Sequence, residues 1–398
     1  MLLRDTLLTT LREPLIPVTA APEINRQVAS RLSARTSQAL VLTGVRRCGK
    51  STLLAQMMRR EGSSCYCNFE DTRIFGMGPA DFPTFLSLVE ELTGSREPLF
   101  LDEVQVLEGW QRLVRALLDR ERAVFVTGSN ASLLGRELGA KLTGRHLSFE
   151  VFPFSYQEYL DYVGKEPGAQ SLQGYLDDGG FPIFLRERRD LVLQELLRDV
   201  VQRDVAVRHG LRETRHVMNL LLFLLANTGR PCSFQSLTKG LAIPAVAQTS
   251  RYVEFLQDAY LLFAVTKFSS SFKKRVVAPA KYYAIDNGLR RANSPQQQPD
   301  LGHRLENAVA LHLRRRSREV QYAGERDLWE CDFVTNEEAI QVCLELTPMN
   351  RAREVRGLQE VMRLRGKRRA LVLTLDQTDR LKEDGVEIEV QPAWRWLD

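Results

Sequence analysis

Eight consecutive residues constrain this chain more than any others: Gly44-Val45-Arg46-Arg47-Cys48-Gly49-Lys50-Ser51. They follow the pattern G-x-x-x-x-G-K-[ST], which signals phosphate binding when a strand leads in and a helix leads out. Ala39-Leu40-Val41-Leu42-Thr43 is short, apolar and bounded, as a buried strand is, and residues 52–60 have helical spacing. Gly44 and Gly49 lack Cβ, so the loop can curl tightly and aim backbone N–H groups inward. The helix N-terminus adds unpaired N–H groups and partial positive charge. Lys50 can reach the β- and γ-phosphates, and the Ser51 hydroxyl can ligate Mg²⁺. The implied ligands are ATP and Mg²⁺. Cys48 and Thr52 lie within the same cradle, and Arg46 and Arg47 either add phosphate contacts or form loop surface.

The residues that follow supply the rest of such a site. A second strand is expected at 63–69, a helix at 82–92 and a third strand at 98–101, ending in Asp102-Glu103. Asp102 is placed to hold Mg²⁺, directly or through water. Glu103 can orient and deprotonate a water for attack on the γ-phosphate. A helix at 110–120, a strand at 123–127 running into Gly128-Ser129-Asn130, a helix at about 132–142 and a strand at 146–151 complete the pattern. Strands alternating with helices predict an α/β fold with a parallel sheet and the ligand at the strand C-terminal ends.

The phosphate loop, Asp102-Glu103, Thr127-Gly128-Ser129-Asn130 and Leu142-Thr143-Gly144-Arg145 together resemble the AAA+ ATPases over about residues 36–150. The resemblance implies that Ser129 or Asn130 senses the γ-phosphate. It also implies that Arg145 is an arginine finger acting on a neighbouring subunit's nucleotide, in a homo-oligomer that is expected to be a ring. The plain alternative for Arg145 is a solvated helix end, where a cation is favoured anyway. Arginine fingers contribute roughly 10³–10⁵ in rate, so a monomer would be nearly inactive.

The 398 residues have an ordinary globular composition and suit about two to four domains. Five segments are expected: an N-terminal helical stretch at 1–35, the ATPase core at 36–153, a helical lid at 154–230, a winged helix-turn-helix at 231–294, and a last mixed block at 301–398. Residues 295–299 read as a linker. In the winged-helix candidate, helices are expected at 233–241 and 244–256. Val246, Val253, Leu256 and Tyr260 are expected in the core. Gln248, Thr249 and Arg251 are expected to face outward, with Lys273-Lys274-Arg275 as a basic wing. These six residues are the candidate DNA contacts. The net charge of +5 is small for this length, so a nucleic-acid partner rests on such local clusters.

In the last block, Leu305-Glu306-Asn307 opens a helix and Trp329-Glu330-Cys331-Asp332-Phe333-Val334 reads as a strand. This resembles the restriction-endonuclease-like fold, and with Gly179-Gly180-Phe181-Pro182 the whole chain resembles a prokaryotic ATPase family with core, lid, winged helix and nuclease-like tail. The tail departs from the nuclease pattern: Gln341-Val342-Cys343 stands where acid-x-lysine is expected. Cleavage needs metal-binding carboxylates and a lysine around the hydrolytic water, so a binding or assembly role is expected instead. Cys331 and Cys343 are read as core packing, with facing positions on adjacent strands as the alternative.

The six cysteines include no C-x-x-C pair and are too sparse for a disulfide framework, which points to a reducing cytoplasm. No apolar run approaches the ~18–20 residues of a membrane span. The function expected is ATP hydrolysis at subunit interfaces acting on DNA, branched or junction DNA included. The alternatives are a nucleotide-controlled signalling or assembly switch whose winged helix binds protein, and an ATP-dependent nuclease.

Overall fold

Strands joined by helices pair in parallel, because each helix carries the chain back to the edge where its strand began. In the computed structural model of this chain they do so. The structure describes residues 2–16, 24–33, 36–62, 64–94, 97–129, 142, 144–269, 278–294, 300–317, 319–325, 327–365 and 369–398. It separates into two units, Met1–Phe152 and Pro153–Asp398.

In the first unit, α1 (Arg4–Arg12) precedes β1 (Ala39–Thr43), α2 (Lys50–Glu61), β2 (Cys65–Asn68), α3 (Phe82–Thr93), β3 (Leu99–Asp102), α4 (Trp110–Leu118), β4 (Val124–Gly128) and β5 (His146–Glu150). The sheet order is β2-β3-β4-β1-β5, with every pairing parallel. β1, β3 and β4 are buried along their whole length, as their unbroken apolar runs require. Trp110, Leu113, Val114, Leu117 and Leu118 form the buried stripe of α4. β4 lies between the phosphate-loop strand and the Asp-Glu strand, and all three end on the same sheet edge. Within the helical stretch expected at 1–35, Gln27–Arg31 forms a 3-10 turn, with the Arg26 side chain buried beside it. The helix expected at 132–142 lies outside the described residues except for Leu142.

The second unit begins with helices α5 (Tyr156–Val163), α6 (Ala169–Asp178), α7 (Pro182–Glu187), α8 (Asp190–Asp199, running on as a π-helix through Val207) and α9 (Arg215–Ala226). Next come β6 (Pro231–Cys232), α10 (Phe234–Gly240), α11 (Val246–Asp258), β7 (Leu262–Lys267), β8 (Ala280–Ala284) and α12 (Asn287–Asn293). The chain ends with α13 (Leu301–Arg316), β9 (Gln321–Glu325), β10 (Trp329–Val334), β11 (Glu338–Val342), α14 (Arg351–Arg365), β12 (Arg369–Thr374), β13 (Asp379–Glu383), β14 (Val386–Pro392) and α15 (Ala393–Leu397). The helix-turn-helix strands and the last block share one mixed nine-stranded sheet, ordered β13-β14-β12-β11-β10-β9-β7-β8-β6. The join is a parallel pairing of Thr266 with Gln321 and Lys267 with Tyr322. It gives hydrogen-bond partners to an edge of β7 that would otherwise be open.

Two motifs singled out in the sequence act as welds within this unit. The Gly180 N–H donates to Asp286 Oδ2 at 2.6 Å, and a Cβ on Gly180 would stand 2.2 Å from the Phe154 carbonyl oxygen. Only glycine permits that approach. In Leu305-Glu306-Asn307, the Asn307 Oδ1 accepts from the Ala284 N–H at 2.8 Å and its Nδ2 donates to the Ala284 carbonyl at 3.2 Å, which ties α13 to β8.

Burial pushes Asp286 up to about 6 from 3.8, against the pull of the Gly180 and Leu289 N–H groups. The folded chain therefore holds this proton more tightly than the unfolded chain does. The stability contribution is fullest at low pH and falls as pH rises from about 4 to about 6, by on the order of 3 kcal/mol. In urea titrations, wild type is expected to lose that much relative to Asp286→Asn across the window, with no further change above it. A difference between the two that does not vary with pH would contradict this account.

Candidate nucleotide-binding site

The loop between β1 and α2 has the shape its glycines require. Gly44 has φ 146° and lies so close to Val151 that a Cβ would stand 2.1 Å from that carbonyl oxygen. Arg47 and Gly49 also have positive φ, at 63° and 102°. Lys50 is buried, and its ammonium donates to the carbonyls of Gly44 at 3.0 Å and Val45 at 3.1 Å. Cys48 is buried, and its Sγ–H donates to the Val151 carbonyl at 3.2 Å. Burial pushes that thiol up, so it packs as a neutral group rather than a nucleophile. Arg46 reaches Glu70 at 3.4 Å, and Arg47 is exposed. Thr52 sits half-buried in the first turn of α2.

At the end of β3, Asp102 is buried and accepts hydrogen bonds from Thr127 Oγ1 and, at 2.7 Å, from the Tyr66 hydroxyl. The Ser51 hydroxyl donates to it as well. Burial raises its proton affinity, with the Glu103 charge adding to the effect and the three hydroxyls opposing it. A carboxylate held in this way beside a serine hydroxyl is an oxygen donor set that suits a hard divalent cation, so the residues fit Mg²⁺. Glu103 has φ 53°, and its N–H donates to Thr127 Oγ1 at 2.9 Å. The Thr127 hydroxyl therefore links the two acids and fixes their mutual orientation. Gln105 Nε2 donates to the Glu103 carboxylate. Sequence reasoning missed Tyr66 and the role of Thr127. The neighbouring strand β2 brings Tyr66 in, and its burial in an apolar strand was the available signal.

Ser129 is fully buried at the end of β4, on the sheet edge that carries the loop and the two acids. Asn130 lies outside the described residues. Arg145 immediately precedes β5, at the opposite end of the sheet from the loop, and pairs with Asp119 at 2.5 Å while partly exposed. Five residues of strand, about 16 Å, separate the two edges. The Arg145 position is thus remote from this chain's own loop.

The helix-turn-helix differs from its expected faces. Thr249 does not face outward: it is fully buried, with Oγ1 2.7 Å from Thr238 Oγ1. The Thr238 hydroxyl across the turn gives it a partner, so packing of α10 on α11 takes it inward. Val246, expected in the core, is exposed with its neighbours Ala245 and Ala247. Val253, Leu256 and Tyr260 are buried as expected. Gln248 is half-buried and donates to the Tyr252 hydroxyl, while Arg251 is exposed. Lys273, Lys274 and Arg275 lie outside the described residues.

In the last block, Glu306 and Asp332 do come together, around a lysine that the sequence reading overlooked. Lys281 of β8, 1% exposed, lies 3.4 Å from Glu306, 3.1 Å from Asp332 and 2.7 Å from Glu330. Burial alone would lower its pKa, but Tyr283 and the three acids outweigh that and raise it, so the ammonium stays charged. The Tyr283 hydroxyl donates to Glu306 at 2.7 Å. The Gln341 amide accepts from the Asp332 N–H at 3.3 Å and donates to Glu354 at 2.8 Å. Cys331 donates to the Ile340 carbonyl at 3.6 Å, and Cys331 and Cys343 are both free thiols. A lysine inside the otherwise apolar run Ala280–Ala284 was the signal for Lys281. Among the described residues, no group of three or more His, Cys, Asp or Glu side chains is arranged to hold a metal ion. No described helix is long and apolar enough to cross a membrane.

With this geometry in place, the family comparison agrees on the class of the first unit's sheet domain. Residues 36–160 match the family described as an AAA domain, and residues 169–300 match a domain of unknown function (DUF8612). The chain carries a P-loop domain of AAA type, which implies nucleotide binding, typically of Mg-ATP. An uncharacterized protein of Methanocaldococcus jannaschii is 29% identical over 409 residues, covering 94% of this chain and 91% of its own length. An uncharacterized protein of Haemophilus influenzae is 29% identical over 382 residues, covering 89% of this chain and 93% of its own length. Among solved structures, the Walker-type ATPase PABY2304 of Pyrococcus abyssi is 16% identical with a TM-score of 0.46, covering 68% of this chain and 96% of that one.

Proposed function

We propose that this protein hydrolyses ATP with Mg²⁺ at the edge of the first unit's sheet, and that hydrolysis acts on DNA through the helix-turn-helix of the second. One observation carries the ATPase reading: Lys50, Ser51, Asp102 and Glu103, from two separate strand ends, converge on that edge, with Ser51 bonded to Asp102. Lys50 and the loop N–H groups hold the phosphates, and Ser51 and Asp102 hold the metal. Bound Mg²⁺ supplies charge neutralisation on the phosphate oxygens. Glu103 takes the proton of the attacking water, and Ser129 stands at the adjoining strand end. The test is Mg-dependent phosphate release, lost in Lys50→Ala.

Arg145 is assigned to the neighbouring subunit's nucleotide, because its position at the far sheet edge suits no role at its own loop. Glu103→Gln and Arg145→Ala are each expected to be nearly inactive alone. Mixed together, they form some interfaces with both groups intact, so phosphate release is expected to recover partly. A mixture no more active than its components would remove the finger assignment.

For the DNA step, the exposed Arg251 and the basic run Lys273-Lys274-Arg275 supply phosphate-binding charge. A second reading is favoured by the exposed Ala245-Val246-Ala247, an apolar entry to α11 that suits a protein partner: a nucleotide-controlled assembly switch. Duplex, single-stranded and branched DNA titrations at two salt concentrations separate the two. Salt-sensitive binding that weakens in Arg251→Ala supports DNA, and no binding supports the switch. The last block is read as an assembly module rather than a nuclease because Gln341, where the cleavage pattern places an acid, is neutral and donates to Glu354. Since Lys281 does stand beside Glu306 and Asp332, metal-dependent DNA cutting that is lost in Asp332→Ala would overturn this reading.

A further inference from the structure

The segment before β1 does more than lead into the sheet. Arg26 is 7% exposed, although it lies in a stretch with no recognised motif. Its Nη1 donates to the carbonyl of Cys48, inside the phosphate loop, at 2.9 Å. Its Nη2 donates to the carbonyl of Phe152 at 2.5 Å. A Cβ built on Gly49 would lie 2.9 Å from Nη1, so the guanidinium sits directly against the loop's second glycine.

The geometry points to Arg26 as the positioning residue of the phosphate loop, coupling it to the chain segment that leaves the ATPase unit. The peptide between Cys48 and Gly49 is planar and trans, so its C=O and N–H point in opposite directions. Holding the Cys48 oxygen outward on Arg26 aims the Gly49 N–H the other way, toward the inside of the loop, where phosphate is bound. The positive charge stays behind the loop and adds to the field that favours an anion. Two further contacts hold the Arg26 segment to the helix that the loop opens: Gln56 Nε2 donates to the Ile24 carbonyl at 3.2 Å, and Arg60 to Asn25 Oδ1 at 3.1 Å.

The same network reaches the exit of β5. Val151 donates its N–H to the Thr43 carbonyl at 2.7 Å and accepts from the Cys48 thiol at 3.2 Å. Phe152 accepts from Arg26. A shift of the Cys48 peptide therefore changes hydrogen bonds at both 151 and 152, the last residues of the first unit.

This inference rests on the ATPase reading for its affinity measurement but not for its structural one. In Arg26→Ala the Kd for a fluorescent ATP analogue is expected to rise about tenfold to a hundredfold, the range for a lost hydrogen bond to a charged group. Arg26→Lys, which keeps the charge and one donor, is expected to lie between. Added guanidinium at millimolar concentration is expected to restore part of the affinity of Arg26→Ala. Wild-type affinity in Arg26→Ala, or a loss that guanidinium does not touch, overturns the assignment. Hydrogen exchange of residues 44–50 in nucleotide-free protein gives a separate reading. Faster exchange at Gly49 in Arg26→Ala supports the proposal even if wild type binds no ATP, in which case it is the ATPase reading that fails. Unchanged exchange overturns the proposal.

Discussion

Replacing Glu103 by Gln is expected to lower ATP turnover by about 10²–10⁴ while leaving nucleotide affinity near that of wild type. The amide keeps the size of the side chain and its contact with Gln105, but cannot accept a proton from water at neutral pH. Asp102, Ser51 and Lys50 are untouched, and these are the groups assigned to metal and phosphate. The backbone N–H of Glu103 still donates to Thr127, so the orientation of Asp102 should survive as well. Phosphate release and titration with a fluorescent ATP analogue separate the two effects. Equal loss of binding and turnover would mean that Glu103 shapes the site rather than acting on water. Lys50→Ala is the contrasting variant and should lose binding itself, because no other buried cation in the loop replaces its ammonium.

The second large effect concerns Lys281. Lys281→Met is expected to destabilise the second unit by about 3–5 kcal/mol near neutral pH, since it leaves Glu306 and Asp332 buried without their counter-charge. Burial already raises the proton affinity of Glu306, and Lys281 is the largest influence holding it down. Without the lysine, folding favours the protonated acid still more strongly. The stability deficit should therefore shrink at low pH and widen as pH rises toward 8. Adding Glu306→Gln and Asp332→Asn to Lys281→Met should recover much of the loss, because the one acid then left without the lysine, Glu330, is partly exposed to water. Urea unfolding of these variants at two pH values is the measurement. A single variant as stable as wild type at pH 8 would show that the three acids do not depend on the lysine.

The legible part of this chain was its local chemistry. The phosphate loop could be read because its glycines, lysine and serine are consecutive and flanked by unmistakable periods. Asp102 and Glu103 could be read because a buried strand ending in two acids has few structural uses. The helix-turn-helix was legible as two helices, and its faces in part: Val253, Leu256 and Tyr260 lie inward and Arg251 outward as expected, while Thr249 and Val246 are exchanged. The periodicity around Thr249 and Val246 fits either orientation, and the Thr238 hydroxyl, eleven positions upstream, decided it.

What the residue order determined by itself was the α/β class, the positions of loop and acids, and the packing role of Cys331 and Cys343. What only tertiary structure decided was which distant side chains meet: Tyr66 at Asp102, Arg26 at Cys48, Gly180 at Asp286, and Lys281 among Glu306, Glu330 and Asp332. The physical reason is that short-range spacing sets the period of an element and the chemistry of a turn. Contacts across tens of residues follow from strand order and register, which no local pattern encodes. The lysine absent from position 343, just past β11, and found instead in β8 is brought to Asp332 by the pairing of β7 with β9 and to Glu306 by the Asn307 bonds between α13 and β8.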